Sequence, residues 1–281
     1  MPELPEVETM RRAIEPIVGR RVRDLQRPKC RLQPIRISPR LSDFRRRVSG
    51  RKILAAQRIG KRVVLPIDGG DRIVFEPRMS GLVLLADPPD QQHLRLVFDL
   101  SGRPRRRLLF WNQRGLGVVW LVSPKRFDAL FGPEKLGPDA LDISAETLRQ
   151  RLDRSRRAIK VALLDQRALA GIGNLYASEI LHRAAVHPEL PCRELSPTAW
   201  EKLHASMREV LAEAIRHQGS TLADGTYRIA RDRPGGFQLR HRVYQHSGQP
   251  CVQCGQAEIV RIVQAQRSTF FCPVCQRQDG T

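Results

Sequence analysis

The hydrophobic pattern changes period at about residue 20. In EVETMRRAIEPIV, residues 6–18, Val7, Met10, Ile14 and Ile17 recur at spacings of three and four, which predicts an amphipathic helix. Pro5 suits its first turn, where a missing N–H costs nothing. From 20 to about 122 the period shortens. RKILAAQRIGKRVVLPI, DRIVFEP, SGLVLL, HLRLVFDL, RRLLFW and LGVVWLV are short Leu-rich or β-branched runs, separated by GG, SG and DPPD. They predict antiparallel β structure, a sandwich or barrel, with the first helix against it.

FGPEKLGPDALDIS, residues 131–144, is rich in Gly, Pro and Asp and reads as a linker. Beyond it the pattern turns helical through 145–218. SAETLRQRL opens on a capping Ser, and RAIKVALLDQRAL and NLYASEILHRAAV flank the short AGIGN. SPTAWEKLHASMREVLAEAIRHQG reads as one long helix with Trp200, Leu203, Met207, Val210, Leu211 and Ile215 on its apolar stripe. Residues 219–243 keep no period and read as a Gly-bearing loop. The expected class is therefore α+β: an N-terminal antiparallel β-sandwich or barrel with a long first helix, then a helical domain.

Composition sharpens this outline. The 281 residues suit two domains. No run of 18 apolar residues suggests a membrane span, and the acidic, proline-bearing start is unlike a signal peptide. Lys and Arg total 49 against 29 acids, a net charge of +20. Such an excess draws polyanions, nucleic acid first and an anionic membrane surface second.

Four of the six cysteines form two CxxC pairs near the end of the chain, Cys251 with Cys254 and Cys272 with Cys275. Four thiolates in paired turns can close a tetrahedral shell around one Zn2+, and a full protein shell makes the ion structural. A pair of redox dithiols is the alternative. The intervening GQAEIVRIVQAQRSTFF alternates enough for a hairpin, whose Arg261 and Arg267 are either phosphate forks or solvated turn charges. In AGIGN, Gly171 and Gly173 permit a tight turn, and Asn174 can cap the next helix; backbone N–H groups there could take a DNA phosphate. By spacing alone Lys61 and Lys160 read as ordinary surface lysines. At the N-terminus, removal of Met1 would free the Pro2 amine. An α-amine titrates near 8, so a neutral, nucleophilic fraction exists in the cell, with the Glu3 carboxylate beside it for proton transfer. A terminal cap on the first helix is the plainer reading of the same residues.

PELPEVET, GKRVVL, MSG at 79–81, IKVALLDQRALAGIGNLYASEILHRA and AQRSTFFCPVCQ together resemble the bacterial formamidopyrimidine-DNA glycosylase family and its endonuclease VIII-like relatives, over nearly the whole chain. The resemblance implies a catalytic sandwich domain at 1–130, the linker, a DNA-binding domain at 145–245 with a helix–two-turns–helix motif and a flexible loop, and a zinc hairpin at 246–281. It implies a bacterial, cytoplasmic, nucleoid-associated monomer acting on double-stranded DNA with oxidised bases or abasic sites, without a membrane partner. Pro2 would attack the sugar C1′ as a Schiff-base nucleophile, Glu3 would move protons, and β,δ-elimination would cut the strand. Lys61 and Arg267 would complete the catalytic set at the phosphates, with Asn174 a further phosphate contact. Glu6 would support the acid, Lys160 would lie near the damaged base, and Met79 would be a wedge. Two segments depart from the family. NQRGLG at 112–117 stands where DPRRFG is usual, keeping Arg114 but placing Gly115 and Leu116 for Arg and Phe. EPR at 76–78 replaces HLG. These implications favour excision of oxidised purines, formamidopyrimidines and 8-oxoguanine. Excision of oxidised pyrimidines, a non-catalytic binder of damaged DNA and a zinc-stapled regulator are the alternatives.

Overall fold

The computed structural model describes residues 2–104, 106–222, 225, 227–229 and 233–278. Contacts divide the chain into two compact units, 1–132 with 215–238, and 133–214 with 239–281. The segment 215–238, which the expected division places in 145–245, thus groups with the N-terminal residues. Of the predicted 219–243 loop, residues 223, 224, 226 and 230–232 lie outside the described residues, as does Met1.

In the first unit, helix α1 (Leu4–Ile14) is followed by strands β1 (Val22–Gln26) and β2 (Arg36–Ser38), and then by α2 (Leu41–Val48). Seven strands follow, β3 (Gln57–Ile59), β4 (Arg62–Pro66), β5 (Arg72–Glu76), β6 (Gly81–Leu84), β7 (Leu94–Leu100), β8 (Arg106–Asn112) and β9 (Val118–Val122), and then α3 (Pro124–Phe131). One sheet has the order β1-β7-β8-β6, the other β2-β9-β5-β4-β3. Strand alternation sets the layers. Val63, Leu65, Ile73, Phe75, Val119 and Leu121 face the common core with Leu96, Phe98 and Phe110 of the first sheet. Phe75 bridges the sheets, its ring centroid 5.8 Å from Phe98 and 5.6 Å from Phe110. The opposite set, Val64, Val74 and Val122, is covered by Phe127, Leu130 and Phe131 of α3.

The sandwich agrees with the sequence reading, with three corrections. First, β2 pairs with β9 in parallel, so the sheets are not wholly antiparallel. Second, α1 ends at Ile14, because Pro16 cannot donate a helical N–H; the chain tightens into a 3-10 turn over Glu15–Ile17 that still buries Ile17. Third, two helices interrupt the strand region and its exit. Phe44 and Val48 of α2, four apart, share its buried face, and α3 starts where Ser123 accepts the Arg126 N–H ahead of Pro124.

The second unit contains α4 (Ala145–Leu152), α5 (Ile159–Leu163) and α6 (Asn174–Arg183), and the hairpin β10 (Val260–Gln264) and β11 (Arg267–Phe271). Helix α7 (Pro197–Arg216) runs from it to the unit boundary, and its six stripe residues are all buried. Ser144 caps α4 as expected, accepting from the Thr147 N–H at 3.1 Å. No helix among the described residues is long and apolar enough to cross a membrane.

Candidate catalytic terminus, nucleic-acid interface and metal centre

Pro2 and Glu3 are both buried immediately before α1. Glu3 is the N-cap, and its backbone N–H donates to Glu6 Oε2 at 2.8 Å, an arm of a capping box. The other Glu6 oxygen, Oε1, accepts from the Ser220 N–H at 2.8 Å. One carboxylate, 2 % exposed, therefore ties the start of α1 to the 219–220 turn. Gly219 lets the turn approach: its φ is +76°, and a Cβ there would lie 2.6 Å from Glu6 Oε1. Tyr227 is buried below, donating to Gln218 O at 2.9 Å; burial, then the Glu6 charge, push its hydroxyl pKa well up. Lys61 is half-buried in the β3–β4 turn, after Gly60 at φ +52°.

Two loops that cross between the sheets, β5–β6 and β8–β9, brace one another. Asn112, fully buried at the end of β8, donates through Nδ2 to Pro77 O at 3.1 Å and accepts from the Gly117 N–H at 3.3 Å. Ser80 Oγ accepts from the Arg114 N–H at 3.0 Å. Arg95, 3 % exposed, donates to Asn112 O at 2.8 Å and to Gln113 O at 3.2 Å. On this frame Met79 and Leu116 stand 40 % and 44 % exposed, with Arg114 Nη1 3.6 Å from Met79 Sδ. Gly115 has a structural reason of its own. Its φ is +67°, and a Cβ would lie 2.4 Å from Gln33 O, so no larger residue could sit here without moving the backbone.

In the second unit Lys160 has no exposed surface, which overturns the reading of it as a surface lysine. Its Nζ donates to Asn174 Oδ1 at 2.7 Å, Thr269 Oγ1 at 2.6 Å and Ser268 O at 3.1 Å. Asn174 is not the cap of α6. Gly173 holds that position, and Asn174 Nδ2 donates to Ser268 O at 2.9 Å, tying the helix start to β11. Arg267 is exposed at the first residue of β11, after a two-residue turn in which Ala265 and Gln266 take φ of +46° and +60°. Arg261 donates to Ser268 Oγ at 3.0 Å.

The thiols of Cys251, Cys254, Cys272 and Cys275 all lie within 4.8 Å of one another. Two of the separations are 3.8 Å and 3.7 Å, the spacing that four bonds of about 2.3 Å to a tetrahedral zinc impose. Backbone N–H groups of Gln256 and then Ala257 draw the Cys254 thiol down to about 7, whereas burial and the neighbouring sulfurs push Cys275 up. A divalent cation is what allows all four to ionise together. His182, fully buried, places Nε2 3.5 Å from Cys251 Sγ, and burial draws its pKa down to about 4, leaving the ring neutral. Glu179, also on α6, accepts from the backbone N–H groups of Arg242, Val243 and Tyr244 at 2.8–3.1 Å, fixing the segment that leads into the cysteine turns. Burial raises its pKa against those hydrogen bonds.

Sequence reasoning did not find Asn112, Arg95, Glu179, His182 or Thr269. Their roles depend on partners far along the chain, and only the helical phase of Glu179 and His182 within NLYASEILHR gave any signal.

Three family models match the chain: the formamidopyrimidine-DNA glycosylase N-terminal domain over residues 1–119, its H2TH domain over 132–225, and a zinc finger found in FPG and IleRS over 248–278. The formamidopyrimidine-DNA glycosylase of Chloroflexus aurantiacus is 41% identical over 98% of each chain, and that of Thermus thermophilus 37% identical, again over 98% of each. Among solved structures, Lactococcus lactis Fpg in complex with DNA containing an abasic site superposes with a TM-score of 0.85 at 31% identity, covering 98% of this chain and 99% of that one. The Thermus thermophilus protein gives 0.84 at 38%, covering 98% of both. The chain belongs to the formamidopyrimidine-DNA glycosylase family, with an N-terminal β-sandwich, an H2TH domain and a four-cysteine zinc finger.

Proposed function

We propose that this protein is a bifunctional DNA glycosylase and abasic-site lyase that removes oxidised purines, formamidopyrimidines and 8-oxoguanine, from duplex DNA through a Pro2 Schiff base. The observation that carries the reading is the order at the terminus. A proline whose nitrogen becomes a secondary amine once Met1 is removed directly precedes the buried Glu3, and Glu6 ties the Glu3 backbone to the 219–220 turn. In this scheme the Pro2 nitrogen bonds to C1′ as the glycosidic bond breaks, and the base leaves with that electron pair and takes up a proton. Glu3 serves as proton partner as the sugar ring opens to the iminium. Loss of a C2′ proton then expels the 3′ phosphate, and a second elimination expels the 5′ phosphate.

Lys61, Asn174 and Arg267 are the proposed phosphate contacts, and Lys61 and Arg267 also assist elimination. Lys160 contributes by holding Asn174 and β11 in place. Met79 and Leu116 fill the gap left when a nucleotide is flipped out, a step costing a few kcal/mol, and Arg114 faces the opposite strand. The zinc ion would be held by the four cysteines, its chemistry confined to fixing the hairpin that carries Arg267. The protein works as a monomer at the bacterial nucleoid.

Borohydride reduction on duplexes bearing single lesions tests the mechanism. The mature protein is expected to be trapped covalently on abasic and 8-oxoguanine duplexes, and a form that retains Met1 is not. Absence of an adduct, or an undiminished one with the Pro2 nitrogen blocked, would overturn the Schiff base. Trapping on oxidised pyrimidines alone would reassign the substrate class.

A further inference from the structure

The loop that carries Met79 also carries a residue in a conformation it does not favour. Arg78 sits at φ +55°, in the left-handed region where a side chain is strained and glycine is not. Such outliers persist where the surroundings impose them and where a side chain has work to do. The surroundings here are rigid: Pro77 is held by Asn112 Nδ2, and Ser80 by the Arg114 N–H.

Arg78 does not serve as a structural counter-ion. Its only ion pair among the described residues is to Glu76 Oε1, at a long 3.5 Å, with the arginine side chain 56 % exposed. Glu76, 6 % exposed, is already answered by Arg62 Nη2 at 2.7 Å and by the Trp120 indole N–H at 3.3 Å. The guanidinium is therefore steered by a buried carboxylate whose charge is neutralised without it, and it still faces water. Met79, the next residue in the chain, is exposed, and Arg114 Nη1 lies 3.6 Å from its Sδ. An exposed apolar side chain with one arginine preceding it in the chain and another against it matches an opened duplex step, where apolar groups enter between bases and cations meet the phosphates alongside.

We propose that Arg78 is a further DNA contact, a guanidinium fork on a backbone phosphate next to the base step that Met79 enters. The proposal rests on the reading of the protein as a damage-processing DNA enzyme. It predicts a sequence-independent electrostatic contribution to binding.

The test uses the full-length, zinc-loaded protein and a duplex with one tetrahydrofuran abasic analogue, with binding followed by fluorescence anisotropy across a salt series. Arg78→Gly removes the fork and accepts the backbone angle, so its thermal midpoint should equal or exceed that of the parent. Its affinity should fall roughly three- to tenfold, by the same factor with each of the four opposite bases. Its slope of log K against log salt should shrink by about 0.9. Arg78→Lys keeps the cation and should keep the slope. Parent-like affinity and slope in Arg78→Gly would overturn the proposal. So would a loss confined to one opposite base, which would make Arg78 a base reader. Failure of the parent itself to prefer the abasic duplex over an intact one would instead overturn the underlying reading.

Discussion

Lys160 brings a charge to a place with no exposed surface, and three acceptors from α6 and β11 receive it. Substituting Lys160→Met keeps the volume and removes the donors. Asn174 still bonds Ser268 O, but Asn174 Oδ1 and the fully buried Thr269 Oγ1 each lose a donor, at a cost of about 1–3 kcal/mol. A loss of that size is expected in urea unfolding followed by a probe in the second unit, together with weaker DNA binding as α6 and the hairpin lose their tie. An unchanged midpoint would show that the lysine is dispensable to the fold. The same site shows where single residues are legible in sequence. The four cysteines could be read because the ligand set lies in two local CxxC turns. Lys160 could not, because its acceptors at 268 and 269 lie more than a hundred positions away. Asn174 was read as a cap because it is a good cap residue, but Gly173 fits the extended N-cap backbone and leaves the amide for Ser268.

At the scale of elements, α1 is an amphipathic helix held from both faces. Val7, Met10 and Ile14 enter the sandwich core, as their spacing predicted. On another face Glu8, with its side chain 11 % exposed, gathers Arg11 and Arg12 from its own helix and Arg58 from β3. Burial works against ionising Glu8, but the hydrogen bonds of Arg11 and Arg12 and the charges of Arg11 and Arg58 outweigh it, so its pKa is lowered. A lowered folded pKa means stability present above the unfolded value of 4.5 and lost as pH falls through the folded value. Glu8→Gln should therefore cost about 2–4 kcal/mol at pH 7, because Arg58, with its side chain 8 % exposed, loses one of its charged partners. The gap between variant and parent should narrow as pH falls below 4.5 and through the lowered folded value. A gap that stays constant as pH falls from 7 until the parent unfolds would show packing, not charge, to be responsible. Elements were legible wherever one face is buried and the run is long: α1, α7 and the strands β4 to β9. The misses were α2, a short helix between strands that buries only Phe44 and Val48, and α3, which follows the last strand of the sandwich and packs on an outer sheet face, so their period barely registers.

On the scale of the whole chain the +20 charge and the buried histidines act together in acid. Every carboxylate protonated adds to a positive excess that already repels itself. His241, 8 % exposed, adds a specific term, because burial and then the His246 charge draw its pKa from 6.5 to about 4. The sign follows from the protons bound. Between 6.5 and about 4 the unfolded chain takes up a proton that the folded ring refuses, so stability falls as pH falls, by about 2 kcal/mol at pH 5 relative to neutrality. His241→Phe fills the same space beside Tyr244, whose ring centroid lies 5.2 Å from that of Phe270 on the hairpin, and cannot titrate. The variant should lose less stability than the parent between pH 7 and pH 5, by about that amount, with the two differing least at neutral pH. Denaturant titrations at fixed ionic strength would separate this from general charge repulsion, which both proteins share. Parallel pH profiles would mean that the ring is already charged in the folded protein. A falling profile in both, steeper at low salt, would place acid sensitivity in the net charge, the one property on this scale that the sequence displays without folding.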